Sequence, residues 1–435
     1  MQKRRTARIP GFYRLPLGER LESLVAAGWL TEDEARSISG PAAGGFDMEI
    51  ANAMSENVIG VHALPLGICL NLLINGKERV APMVVEEPSV VAAASNAARL
   101  TREGGGFTVE TTGSVMAAQI QVKGLAEPTA AAQLIQADAP SLLEAVNALI
   151  PNMVNRGGGA REIETRVIPL PSQPEARMLC VHVHVDCRDA MGANTLNTVA
   201  EGLAPRVQEI AGGEIGLRIL TNYADRRLVR VSCRLPPESL RTKKWPDGGL
   251  VRDHIVDASR FAEADTYRAV THNKGFMNGL DAVLVATGQD WRAAEAAAHA
   301  YASRTGAYGP LATWRKDREG FLEGEAELPL AVGTVGGAAR AHPGVRLSLR
   351  LGRIEDAADL ASLAASVGLA SNLAALRALA TDGIQRGHMA LHARTVAIEA
   401  GATGDLIHRV STTLRSEGCF RLERAKEILK KLPED

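Results

Sequence analysis

Between two glycine-rich junctions the chain runs through one short pattern twice, and that repetition constrains the fold more than any other feature. After Gly104-Gly105-Gly106, residues 115–122 read as a strand and 129–150 carry a helical period. Residues 161–169 and 178–187 read as two further strands, 192–211 as a helix and 214–220 as a strand. Strand-helix-strand, twice, is the βαββαβ order of a ferredoxin-like sandwich. A self-contained unit of this kind is an insertion, and the host domain resumes near Asn222. The predicted division is 1–110 and 222–381 for a mostly helical large domain, 111–221 for the insertion and 382–435 for a helical C-terminal segment. The fold class is α+β and multi-domain.

The host segments carry their own punctuation. Residues 17–43 look helical, with Thr31 to Glu34 as a capping box that opens a second helix. Asn75-Gly76 marks a hairpin turn between the apolar run ending at Ile74 and a second run at 80–85. Glu86-Glu87-Pro88-Ser89 then precedes an alanine-rich helix over 90–100, with Pro88 suited to a first helical position. Beyond the insertion, 228–235 and 320–328 read as strands, 253–264 and 292–306 as helices, 330–337 as a glycine-rich turn, and 356–381 as two helices.

Composition excludes several classes. A net charge of -1 over 435 residues speaks against a nucleic acid or an acidic membrane held by bulk charge. The longest apolar run, 63–74, is interrupted by Pro65, Gly67 and Asn71 and is too short to cross a bilayer. The basic start at residues 1–8 lacks the apolar stretch of a secretory signal. Cys69, Cys180, Cys187, Cys233 and Cys419 are scattered and form no CxxC pair, a cytosolic usage without a zinc ribbon. A soluble, cytoplasmic protein is expected.

The chemistry concentrates in residues 271–291. Lys274 stands between Asn273 and Gly275, and Gly275, Gly279 and Gly288 read as points where the backbone turns or approaches something closely. Such a lysine is either a surface group on a glycine-rich loop or a point charge for a carboxylate, a phosphate or an oxyanion. Glu86 and Glu87 either begin a helix or supply an acid with a raised pKa. The turn from Asp189 to Thr195 is either an ordinary cap or a helix start that receives phosphate. Neither G-x-G-x-x-G nor G-x-x-x-x-G-K-[ST] occurs, so a Rossmann or P-loop domain is not expected. His388 and His392 have zinc-protease spacing, but Met389 replaces the glutamate that chemistry needs. His182 and His184 share a strand face with no third ligand evident, so no metal is predicted. His388, near a glycine-flanked helix start in a terminal segment, suits a general acid on a lid.

Taken together and in order, the motifs Glu56-Asn-Val-Ile-Gly60, Val84-Val-Glu-Glu-Pro-Ser89, Asp189-Ala-Met-Gly-Ala-Asn194, Thr271-His-Asn-Lys-Gly275, Gly288-Gln-Asp-Trp291 and Gly387-His-Met389 carry a family resemblance. The chain resembles class II (bacterial-type) 3-hydroxy-3-methylglutaryl-coenzyme A (HMG-CoA) reductases from about Pro10 to the mid-420s. The resemblance implies interconversion of HMG-CoA and mevalonate plus coenzyme A through mevaldehyde, with two hydride transfers from NAD(H) or NADP(H), in isoprenoid metabolism. It implies Glu87, Lys274, Asp290 and His388 as catalytic residues. Lys274 would hold the developing oxyanion, a protonated Glu87 would donate to the aldehyde oxygen, Asp290 would connect the two, and His388 would protonate the departing thiolate. Ser89, Arg268, Asn222 and Asn278 are implied as substrate contacts, and Asp189, Met191, Gly192 and Asn194 as nucleotide contacts on the inserted domain. It further implies a homodimer, able to assemble further, whose sites are completed across the interface by residues 56–60. The C-terminal segment becomes a flap that closes over the site.

Two positions depart from the family pattern. Ile150 stands where NAD-using members carry an acidic residue, with Arg156 nearby, so a 2'-phosphate is tolerated. Ser371 stands where a substrate-side glutamine is often found. Two rival functions accompany the reductase reading. One is an inactive CoA- or nucleotide-binding homologue, which the four catalytic residues argue against. The other is a reductase of a related acyl-CoA, which Arg268, Asn278 and Ser89 argue against.

Overall fold

The first sheet grows from the hairpin at Asn75-Gly76. In the computed structural model, which describes residues 6–39, 48–336, 341–381 and 383–432 (backbone alone for 384–391), β1 (Leu66–Ile74) pairs antiparallel with β2 (Lys77–Val84). Asn75 and Gly76 have φ of 48° and 73°, the left-handed pair that a two-residue hairpin of the right twist requires. β3 (Phe107–Thr111) joins β1 in parallel.

The chain then leaves this sheet. β4 (Val115–Lys123), β5 (Gly159–Leu170), β6 (Gln173–Asp186) and β7 (Glu214–Leu220) build a second sheet in the order β5-β6-β4-β7, every pair antiparallel. This is the ferredoxin-like order. β8 (Leu228–Leu235) returns directly beside β3, with Thr111 opposite Val229. The first sheet is therefore continuous across the excursion and reads β2-β1-β3-β8-β10-β9, where β9 is Ala312–Lys316 and β10 is Leu322–Pro329.

Each sheet carries its main core on one face. Along β8, Val229, Val231, Cys233 and Leu235 point into the core while Arg230 is exposed, the alternation of a half-covered antiparallel strand. The helices Val90–Thr101, Gly248–Ala264, Thr266–Ala286 and Ala357–Ala380 complete that core around Phe107, Phe276 and Trp314. The inserted unit has its own core, in which Ile120, Val181 and Val183 meet Leu142, Leu196 and Leu203. The helices Ile384–Glu399, Asp405–Glu417 and Leu422–Lys431 close around a third, with Val396, Val410, Leu414 and Ile428.

Three expectations change. The helix anticipated over 129–150 is two, Pro128–Ala137 and Ala139–Leu149, because Pro140 has no N–H to continue the ladder. The two helices anticipated over 356–381 are one, Ala357–Ala380. Gly368 does not break it; a Cβ there would lie 2.7 Å from the Phe276 ring, so glycine admits a neighbour rather than ending a turn. This helix is long and apolar enough to span a membrane, yet most of it is buried in the core. Pro88 precedes the helix cap, which is Ser89, instead of standing at the first helical position. The capping box forms as read, with Thr31 N donating to Glu34 Oε2 at 2.7 Å and Glu34 N to Thr31 Oγ1 at 3.2 Å.

Candidate active site

Lys274 stands on a helix, not on a loop. Asp265 opens that helix (Thr266–Ala286) by accepting from Arg268 N at 2.7 Å, and Gly275 and Gly279 lie within it. A Cβ on Gly279 would come within 2.5 Å of Val367 O and 2.7 Å of Ser371 Cβ, so this glycine permits a close helix crossing. Only Gly288, at φ 65°, turns the chain.

The residues just before Lys274 lock the helix from behind. Asn273 is fully buried; its Nδ2 donates to Tyr308 Oη and Gly309 O, both at 3.0 Å, and its Oδ1 accepts from Leu311 N at 2.8 Å. His272 Nε2 donates to Ala312 O at 2.9 Å, and burial pushes its pKa down to about 4, so the ring is neutral. Asn372 donates to His272 O at 3.0 Å and accepts from Trp314 Nε1 at 2.8 Å. With its neighbours turned inward, Lys274 faces outward.

There its Nζ donates to Glu87 Oε2 at 2.7 Å, across 187 positions of sequence. The Lys274 side chain is 58% exposed and that of Glu87 32%, and a pair so open to water is worth under about 1 kcal/mol. Stability does not explain it. Glu87 is half-buried there, with Oε2 facing the ammonium. Ser89, two residues on, takes φ 77°, a strained conformation for a residue with a side chain. Asn278 lies one turn beyond Lys274 on the same face and is half-buried. Arg268 is half-buried and has no acidic partner among the described residues; desolvation lowers its pKa, but a guanidinium stays charged. Asn222 is exposed in the segment that leads from β7 to β8.

Asp290 does not bridge Lys274 and Glu87. It caps the helix Trp291–Ala302, accepting from Ala293 N at 3.0 Å, and lies 3.7 Å from Arg292 Nη2. His388 belongs to the helix Ile384–Glu399, and its side chain lies outside the described residues. Sequence reading missed what lies beneath. Asp281, two turns beyond Lys274, is held protonated by burial and by Glu295 beside it, and its Oδ1 has no hydrogen-bond partner among the described residues. Glu295 reaches His299 at 2.7 Å, His299 reaches Tyr308 Oη at 2.8 Å, and Tyr308 meets Asn273. A polar chain thus runs from Asp281 back to the residue beside Lys274.

The turn before the helix Ala193–Ala211 forms a second locus. Gly192 has φ 108°, and a Cβ there would press on Cys187 Sγ at 2.7 Å. Among the described residues no side chain caps this helix, which leaves its first amides open to an anion. Met191 is half-buried and Asn194 exposed beside it. Asp189 turns elsewhere: its Oδ1 accepts from Ala357 N at 3.2 Å, capping the central helix of the large domain. Buried Arg227 donates to Ala190 O at 3.0 Å and Val332 O at 2.5 Å, and Gly333 N donates to Gln289 Oε1 at 2.8 Å. A Cβ on Gly333 would lie 2.4 Å from Met191 N. The glycine-rich segment after β10 therefore ties this turn to Gln289, next to Asp290. A cleft of about 230 Å³ opens between Ser114, Arg188, Asp189, Arg227 and Asp356.

The family model described as hydroxymethylglutaryl-coenzyme A reductase matches residues 17–393. The chain is 48% identical to a 3-hydroxy-3-methylglutaryl-coenzyme A reductase of Archaeoglobus fulgidus, over 98% of this chain and 95% of that protein. A solved reductase of the same name from Streptococcus pneumoniae superposes with a TM-score of 0.82 at 42% identity, covering 98% of this chain and 99% of that one. A class II form from that organism, bound to NADPH in open conformations, gives 0.81 at 42% identity over 86% and 99%.

Proposed function

The chain belongs to the hydroxymethylglutaryl-coenzyme A reductase family, and we propose that its described surface divides that reaction between an outward-facing lysine and an open helix end. It is a nicotinamide-dependent oxidoreductase that reduces HMG-CoA to mevalonate and coenzyme A. The observation that carries the site reading is the Lys274–Glu87 pair, 2.7 Å long on a half-exposed surface where it contributes little to stability.

In this reading the Lys274 ammonium stabilises the negative charge that grows on the thioester oxygen and then on the aldehyde oxygen. Glu87, hydrogen-bonded to it, moves a proton to the same oxygen. Asp290 keeps its helix in place and comes to the lysine only when the site closes. His388 protonates the thiolate of the leaving coenzyme, carried there by the C-terminal helices as a flap. Arg268 answers the free carboxylate of the substrate, with Ser89, Asn222 and Asn278 around its hydroxyl and acyl groups.

The nicotinamide nucleotide supplies the hydrides. Its phosphates fit the uncapped end of the helix Ala193–Ala211, where Gly192 keeps the approach clear and Met191 and Asn194 flank it. Ile150 is buried and Arg156 is exposed, an arrangement that offers no acid to a ribose diol and a cation to a 2'-phosphate, so NADPH is the preferred reductant. An absorbance assay with HMG-CoA and each reduced coenzyme tests this. Turnover with a higher kcat/KM for NADPH supports it; no turnover with either, in folded protein, sinks the activity.

A second copy completes the site. Ile59 is fully exposed in a single chain, and Tyr267 and Val270 are exposed beside Lys274 on its helix. Changing Ile59 to Glu should turn a dimer into monomers by light scattering; a monomeric parent would refute the assembly. The five free thiols, four of them buried, suit the cytoplasm.

A further inference from the structure

Away from the cleft, one cluster of side chains has the donors of a metal site. Alternation along β6 sends Val181, Val183 and Val185 into the core of the inserted unit and His182 and His184 to the opposite face of the sheet. Sequence spacing offered no third ligand; the register of the small sheet supplies one. β5 pairs with β6 so that Glu164 stands opposite His182, and its Oε2 lies 2.8 Å from His184 Nε2. One ligand atom from each of Glu164, His182 and His184 falls within 4.8 Å of the others.

We propose that Glu164, His182 and His184 bind a divalent transition-metal ion of the zinc class. Two imidazoles and a carboxylate are a donor set that such ions take, with further positions left to water. Ligand bonds near 2.0–2.2 Å place tetrahedral donors about 3.4 Å apart, so the Glu164–His184 pair, at 2.8 Å, must widen while any more distant pair draws in. Glu164, whose side chain is 36% exposed, has the freedom to do it. The two histidine rings already stand edge to face with centroids 5.9 Å apart.

The groups around the cluster account for its metal-free arrangement. Arg226 Nη2 lies 3.0 Å from Glu164 Oε2, while its Nη1 holds Glu162 at 2.5 Å. A bound ion replaces one cation by another at Glu164 and leaves Arg226 with Glu162. Gln119 Nε2 lies 2.9 Å from His182 Nε2; an amide donating there occupies the single lone pair of an unprotonated nitrogen, and an ion binding that nitrogen would displace the amide. The ion would tie β5 to β6 within a few residues of the turn at Asp189.

The test uses the full chain, stripped with a chelator and titrated with zinc and with nickel by calorimetry. Cobalt is added separately so that its visible absorption reports the coordination. One equivalent should bind, and His184→Asn should weaken affinity at least about tenfold, as should Glu164→Gln on the exposed side of the cluster. His392→Asn, in the other histidine pair of the sequence, should bind as the parent does. Each variant is checked by circular dichroism and by NADPH turnover. Absence of saturable binding in the parent overturns the proposal. So does binding that survives both His184→Asn and Glu164→Gln, or that is lost in His392→Asn.

Discussion

The two walls of the candidate active site are secured in opposite ways. On the proposed nucleotide side, the surface is backbone, and it is held by groups that leave no slack. Arg227 is buried among carbonyl oxygens, and Gly192 and Gly333 each sit where a Cβ would collide with a neighbour. On the lysine side, the scaffold is equally firm, through Asn273, His272 and Asn372, but the working side chains point away from it. Lys274 holds one exposed ion pair, Asp290 is occupied as a cap, and the apolar residues nearby face water. One wall is finished by its own chain. The other leaves its polar and apolar side chains open to solvent.

The strongest way to break this comparison is at the lysine. Lys274→Ala should lower kcat at least about 10²–10³-fold, the usual loss for one oxyanion donor, while the denaturation midpoint barely moves. A variant that loses several kcal/mol of stability would show that the outward wall is structural after all.

The scaffold behind that wall is exposed by pH. His272 is neutral in the fold, with a pKa near 4, whereas an unfolded histidine titrates near 6.5. As pH falls below about 6.5 the unfolded chain takes up a proton that the folded ring refuses, so stability is lost until about pH 4. The loss approaches about 3 kcal/mol at the acid end. His272→Gln should flatten this slope in urea titrations run across the range.

Gly333→Ala tests the finished wall. Its methyl group would meet Met191 N, and overpacking of this kind costs about 1–3 kcal/mol. The KM for NADPH should rise more than the KM for HMG-CoA, and equal rises would erase the distinction between the walls.

The smallest effect concerns Asp281. Its carboxyl stays protonated in the fold because it is buried beside Glu295, but the unfolded chain releases that proton above the ordinary carboxylate range. The fold is therefore weakened as pH rises past that range. Asp281→Asn, which needs no proton to hydrogen-bond, should gain about 1 kcal/mol at neutral pH and nothing near pH 3. A loss at neutral pH would mean that the carboxyl serves as a charge.

Local patterns carried much of this molecule. Asn75-Gly76 admits a left-handed pair of residues and thus sets the hairpin, the capping box from Thr31 to Glu34 satisfies a helix start, and alternation separates β4 from the helices that follow. These depend on residues a few positions apart, so the sequence states them directly. The same logic stopped short at 271–291, where Gly279 read as a turn or a close approach: it is an approach, and the partner that needs the space, Val367, is far along the chain. The chain by itself determined which groups were available: a lysine, a glutamate, an aspartate, two histidines on one strand face. Only the tertiary structure decided who meets whom. It brought Glu87 to Lys274, turned Asp290 into a cap, and set Glu164 beside His184, since those contacts follow from sheet register and helix crossing and no local period encodes them.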